Sequence, residues 1–228
     1  MRLRMLSGGA ANGLVNQLRD AFKSQTGREI AGDFGAVGGM RDRIAGGEQV
    51  DIAILTHAAI ETLVAAGKLD PDTVTDLGQV DTGVAVKSGN AHPRIDDAAA
   101  LAEVFGSADA LFCPDTVQAT AGVHFASVLD QLGVGNTVPL QEFPNGQTAM
   151  AAMAKSDLAA PIGCTQVTEI LNTDGVEYIG PLPAPYDLST VYTAAVAVNA
   201  EAPEDASALI ALLADPANAD LRRSVGFS

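Results

Sequence analysis

The stretch Leu3-Arg4-Met5-Leu6-Ser7-Gly8-Gly9-Ala10 sets an apolar run of strand length directly against small residues, and the figure returns at Asp51-Ile52-Ala53-Ile54-Leu55-Thr56-His57. Between them, Leu14, Leu18, Ala21 and Phe22 recur at helical spacing up to Thr26-Gly27. Residues 29–34 then read as a strand, and 40–44 as a short helix. Strands that alternate with helical patterns predict βαβ units and a mostly parallel sheet. A helix over 57–66, stopped by Gly67, completes this first set.

Residues 82–87 read as a strand leading into a second alternating series. Its helices fall at 96–104, 120–132, 147–155 and 166–171, and its strands at 110–113, 138–143, 159–163 and 176–179. The segment Pro181-Leu182-Pro183-Ala184-Pro185 reads as a loop, because proline offers no N–H to a sheet ladder. The β-branched run at 189–199 is long enough to return to the first series, where helices at 204–214 and 216–225 would pack. The expectation is an α/β chain of two lobes, each a mostly parallel sheet flanked by helices, with a ligand cleft between them. Lobe one takes residues 1–80 and 195–228, lobe two takes 81–194, and hinge crossings fall near 78–84 and 189–198.

Composition narrows the function classes. The 28 acidic and 13 basic residues give a net charge of −15, spread along the chain, which speaks against a nucleic-acid partner. No run approaches the roughly 20 apolar residues of a membrane span, so membrane insertion is not expected. Cys113 and Cys164 lack metal-ligand spacing and read as buried free thiols, so no metal is expected. There is no phosphate loop, dinucleotide fingerprint or serine nucleophile elbow, and hence no expected cofactor. The start as written carries no apolar run of secretory length. That reads as a cytoplasmic chain without a transporter partner, or a periplasmic one if a signal peptide has been removed.

In open α/β sheets the ligand lies beyond the carboxyl ends of the strands, where helix N-termini present unpaired N–H groups and partial positive charge. Five loops meet that description: Ser7-Gly8-Gly9-Ala10, Gly35-Ala36-Val37-Gly38-Gly39, Thr56-His57, Ala119-Thr120-Ala121-Gly122 and Gly163-Cys164-Thr165-Gln166. Each alone reads equally as a turn and helix cap; together they point to a small anionic ligand. Arg41, one turn into the helix after the second loop, is either a carboxylate clamp or a solvated arginine. His57 and His124 are candidates for proton transfer, although His124 equally suits an ordinary helix face. Glu169 is either a base or a favourable charge in a first helical turn. Tyr192 either turns its hydroxyl to the ligand or packs in the core.

The segments Leu6-Ser7-Gly8-Gly9-Ala10, Phe34-Gly35-Ala36-Val37-Gly38, Asp51-Ile52-Ala53-Ile54-Leu55 and Ala121-Gly122-Val123-His124-Phe125 resemble the molybdate-binding-type, type 2 periplasmic solute-binding proteins over nearly the whole chain. The resemblance implies the two-lobed fold and an anion donor at Ser7. The family's second loop usually carries a hydroxyl residue, whereas Ala36-Val37-Gly38 offers backbone N–H groups only. That departure shifts the expectation from a molybdate-type oxyanion to a di- or tricarboxylate. The family also includes aconitate-isomerase-like members. These imply an alternative, an isomerase that moves a carbon–carbon double bond by allylic proton transfer, with His57, His124, Glu169 and Tyr192 as candidate acid–base groups.

Overall fold

The computed structural model describes residues 2–228 and divides into two compact units. Unit 1 comprises the residues up to Val80 together with Thr190–Ser228, and unit 2 comprises Asp81–Ser189. The second division therefore falls at Ser189/Thr190, ahead of the 194/195 division read from the sequence, and Tyr192 belongs to unit 1.

In unit 1, β1 (Arg2–Gly8) lies between β2 (Glu29–Gly35) and β3 (Ile52–Thr56), parallel to both, with Leu3 opposite Ile30 and Met5 opposite Ile52. The strand β9 (Ser189–Val196) adds antiparallel to β3, placing Tyr192 opposite Thr56 and Thr193 opposite Leu55. Helices α1 (Asn12–Thr26), α2 (Val37–Ala45) and α3 (His57–Ala65) follow the three parallel strands. Leu14, Leu18 and Phe22 recur every four residues along α1 and are buried, so one stripe of the helix faces the core. Gly27 ends α1 at φ +73°, a left-handed position that glycine takes without a Cβ clash. Two C-terminal helices, α8 (Pro203–Ala214) and α9 (Ala219–Ser224), complete the unit.

The buried Asp51 ties these pieces together. Its Oδ2 accepts from the Arg4 amide at 2.8 Å, and its Oδ1 accepts from the amides of Glu201 and Ala202 at 2.7 and 3.2 Å. Asp51 thus pins the two residues that lead into α8, whose own start carries no capping side chain.

Unit 2 is built on β5 (Leu111–Pro114), with β6 (Leu140–Phe143) and β7 (Ile162–Gln166) parallel on either side. The strand β4 (Thr75–Lys87), which carries the chain out of unit 1, runs antiparallel to β7, and β8 (Val176–Pro181) adds antiparallel to β4. The sheet has two packed faces. Val84, Val86, Ile162 and Cys164 meet Leu101 and Phe105 of α4 (Ala98–Ser107) and Phe125 and Val128 of α5 (Thr120–Leu132). Ala85 and Phe112 meet Met150 and Met153 of α6 (Gly146–Lys155), and the short α7 (Val167–Leu171) adds Ile170. Phe105 and Phe125 pack edge to face, with centroids 5.3 Å apart. Both cysteines are buried free thiols, and burial pushes Cys113 up to about 12.

The α/β class and the order of elements follow the sequence reading. The strand expected at 159–163 sits later, at Ile162–Gln166, because Pro161 lacks an amide and Asp109 Oδ2 takes the amides of Ala159 and Ala160. The strand expected at 82–87 begins earlier, at Thr75. Among the described residues, no helix is long and apolar enough to cross a membrane.

Candidate functional site

Three helical segments of unit 1 begin at the carboxyl ends of parallel strands without a capping side chain. The one-turn segment Gly9–Ala11 follows Gly8, α2 follows extended Ala36, and α3 follows extended Thr56. By contrast, Asp97 accepts from the Ala100 amide to cap α4, and Asn145 accepts from the Thr148 amide to cap α6. Helix starts without caps leave N–H groups and positive partial charge for another acceptor.

Gly8 holds the centre of this corner. A Cβ there would stand 3.0 Å from Tyr192 Cε1 and 3.1 Å from Val37 Cγ2, so any larger residue would push these side chains back by a few tenths of an ångström, and glycine lets the turn sit this close to the start of α2. Gly8, Val37 and Tyr192, read separately from the sequence, are thus brought together, with Gly9, Ala36 and Gly38 as chain neighbours. Tyr192 is almost fully buried and packs edge to face on Phe227. Ser7 is fully buried, and its hydroxyl donates to the Gly8 carbonyl at 2.9 Å. The Arg41 guanidinium is held by its neighbour Asp42, at 2.9 and 2.8 Å from Oδ1. This geometry turns both groups to internal partners.

His57 opens α3 with a set of partners that sequence reasoning missed. Its Nδ1 lies 3.0 Å from Asp76 Oδ1 and 3.3 Å from Thr193 Oγ1, and its Nε2 lies 3.4 Å from Glu61 Oε1. Thr193 donates to the same Asp76 oxygen at 2.6 Å. The bond to Asp76 raises the pKa of His57, while Thr193 first, and then His57, hold Asp76 below the usual carboxylate range. An imidazole oriented by a carboxylate has one tautomer favoured and a stabilised protonated form, the properties of a proton-transfer group.

In unit 2, α5 also opens without a capping side chain, at extended Ala119. Gly122 lets this helix approach the end of β5: a Cβ there would meet Asp115 O at 2.2 Å and Pro114 O at 2.5 Å. Ala121 is buried beside it and Thr120 is half-buried. His124, one turn in, has its Nε2 2.7 Å from the Tyr186 carbonyl, so it ties α5 to the proline-rich loop. Gln166, the residue before α7, is buried.

Glu169 is buried and serves as an internal cap. Its Oε1 accepts from the Gly146 amide at 3.2 Å, and its Oε2 accepts from Thr165 Oγ1 at 2.6 Å. Burial raises its pKa, against the opposing pull of these donors. The start of α6 is thereby filled by the chain's own carboxyl group, and that leaves α5 as the open long-helix start in unit 2. No group of three or more His, Cys, Asp or Glu residues suited to a metal occurs among the described residues.

Two α/β units joined by two chain crossings, with helices opening uncapped beyond parallel strands, define the solute-binding protein fold. The chain belongs to the bacterial extracellular solute-binding protein family, which it matches over residues 3–228. It is 26% identical to the aconitate isomerase of a Pseudomonas species, over 93% of this chain and 82% of that protein. In structure it is similar to the periplasmic molybdate-binding protein of Azotobacter vinelandii, with a TM-score of 0.80, 18% identity and coverage of 100% of this chain and 99% of that one. The sulfate-binding protein of Mycobacterium tuberculosis is similar with a TM-score of 0.76, 17% identity and coverage of 100% and 86%.

Proposed function

We propose that the protein binds a small di- or tricarboxylate, anchored in unit 1 by the Gly8-Gly9 turn and the open start of α2. The observation that carries this reading is that Ala36, Val37 and Gly38 begin α2 with no capping side chain and no hydroxyl, so the donors are backbone amides. Amides at a helix start suit a carboxylate, and the relative named for aconitate supports that class. A thermal-shift panel of citrate, tricarballylate, cis- and trans-aconitate, molybdate and sulfate tests it, since a ligand of the folded state raises the melting temperature by mass action. Shifts with molybdate or sulfate and none with the carboxylates would overturn it.

A second reading, isomerisation of an unsaturated carboxylic acid, is favoured by the His57–Asp76–Thr193 cluster. An allylic shift removes a proton beside a carboxylate and returns one at the other allylic carbon, which a carboxylate-oriented imidazole can do. Proton NMR of cis- or trans-aconitate with the protein in heavy water would show the isomer growing in and deuterium entering the exchanging carbon. Binding without either change would leave the binder and exclude the isomerase.

A further inference from the structure

The sheet of unit 2 places one buried hydroxyl without a partner at the end where α5 begins. Thr82 is fully buried, and its Oγ1 makes no hydrogen bond. Its backbone is satisfied: the amide donates to Leu188 O at 2.8 Å, and the carbonyl accepts from the Leu182 amide at 3.1 Å. The register fixes where the side chain points. Thr82 stands opposite Gln166 in the antiparallel β4–β7 pair, so both side chains lie on one face of the sheet. Two residues along, on the same face, Val84 and Cys164 pack against Phe125 and Val128 of α5. Gly83 and Thr165 lie on the opposite face, where Thr165 is bonded to Glu169. Gln166 ends β7, which runs parallel to β5, and α5 follows β5; Thr82 and Gln166 therefore sit at the sheet end where α5 opens uncapped.

A hydroxyl buried without a partner is costly and is rarely left so in a folded protein. Here it lies at the sheet end, and on the sheet face, where α5 starts without a capping side chain. We infer that Thr82, with the first turn of α5 at Thr120 and Ala121, forms a carboxylate subsite of unit 2, in which the hydroxyl donates to a carboxylate oxygen and Thr82 sets specificity. This rests on the carboxylate-binding reading above.

Calorimetric titration of wild type, Thr82→Val and Thr82→Ser with tricarballylate, citrate and trans-aconitate tests it. Valine keeps the shape of threonine and removes the hydroxyl. The expected result is a ligand-free melting temperature for Thr82→Val at or above that of wild type, because no internal bond is lost. Its affinity should fall about five- to tenfold, the worth of roughly one hydrogen bond. Thr82→Ser should restore most of the affinity. Unchanged affinity in Thr82→Val would overturn the inference and leave the function intact, and a lowered ligand-free melting temperature would overturn it by revealing an internal partner. Failure of wild type to bind any of the three acids would instead sink the reading on which it rests.

Discussion

Replacing Gly38 by Asp separates an open anion site from an ordinary helix start, because the two effects have opposite signs. Gly38 is the second residue of α2, whose start carries no capping side chain and no acidic residue in the first turn. A carboxylate there meets the positive end of the helix and should stabilise the ligand-free protein by about 0.3–1 kcal/mol. The same charge repels a bound carboxylate by roughly 1–2 kcal/mol per ligand charge, taking about 5 Å and an effective dielectric of roughly 30–60. Competition for one or two amides adds about 1 kcal/mol each. The sum, about 2–4 kcal/mol, corresponds to roughly 30- to 1,000-fold weaker binding. Thermal melting without ligand and calorimetry with tricarballylate measure the two effects on one preparation. A raised melting temperature with unchanged affinity would refute the placement of the anion at α2.

Three further outcomes follow from the same geometry. Asp51→Ala strips the acceptor from the amides of Arg4, Glu201 and Ala202 and should cost about 3–5 kcal/mol in denaturant unfolding; a loss under 1 kcal/mol would show that water replaces it. His57 has a raised folded pKa, so its contribution to stability is present below the unfolded value of about 6.5 and is lost as pH rises through the folded value. NMR titration of the ring should show Asp76→Asn bringing that pKa down, and an unmoved midpoint would remove Asp76 as its orienting partner. Glu169 titrates with the same sign at lower pH: its raised pKa makes the folded state hold the proton above about 4.5, so stability falls as pH rises through that window. Glu169→Gln should flatten this slope in melts taken across the window, and an identical slope in the variant would assign it to other groups.

Much of the fold was legible because apolar runs and helical spacing alternate cleanly. The leading half of β4 was not: in Thr75–Lys87 the buried residues before Gly83 are Leu77, Val80 and Thr82, and Gly78, at φ +142°, interrupts the period of two that marks a strand. The loops at the strand ends could be picked out, because small residues after apolar runs are a local signal. Their partners were not local. Asp76 lies 19 positions from His57 and Gly146 lies 23 from Glu169, so a candidate base and a first-turn acid each acquired a role that only the fold brings together. Thr82 could be assigned to a strand from its neighbours, but its unpartnered hydroxyl depends on what covers that face of the sheet.

The central claim is that a carboxylate is the ligand, and calorimetric titration of the wild-type protein with tricarballylate, with molybdate as competitor, tests it most directly. The expected result is saturable binding of one tricarballylate per chain that excess molybdate does not displace. Saturable binding of molybdate with no heat from tricarballylate would contradict the account.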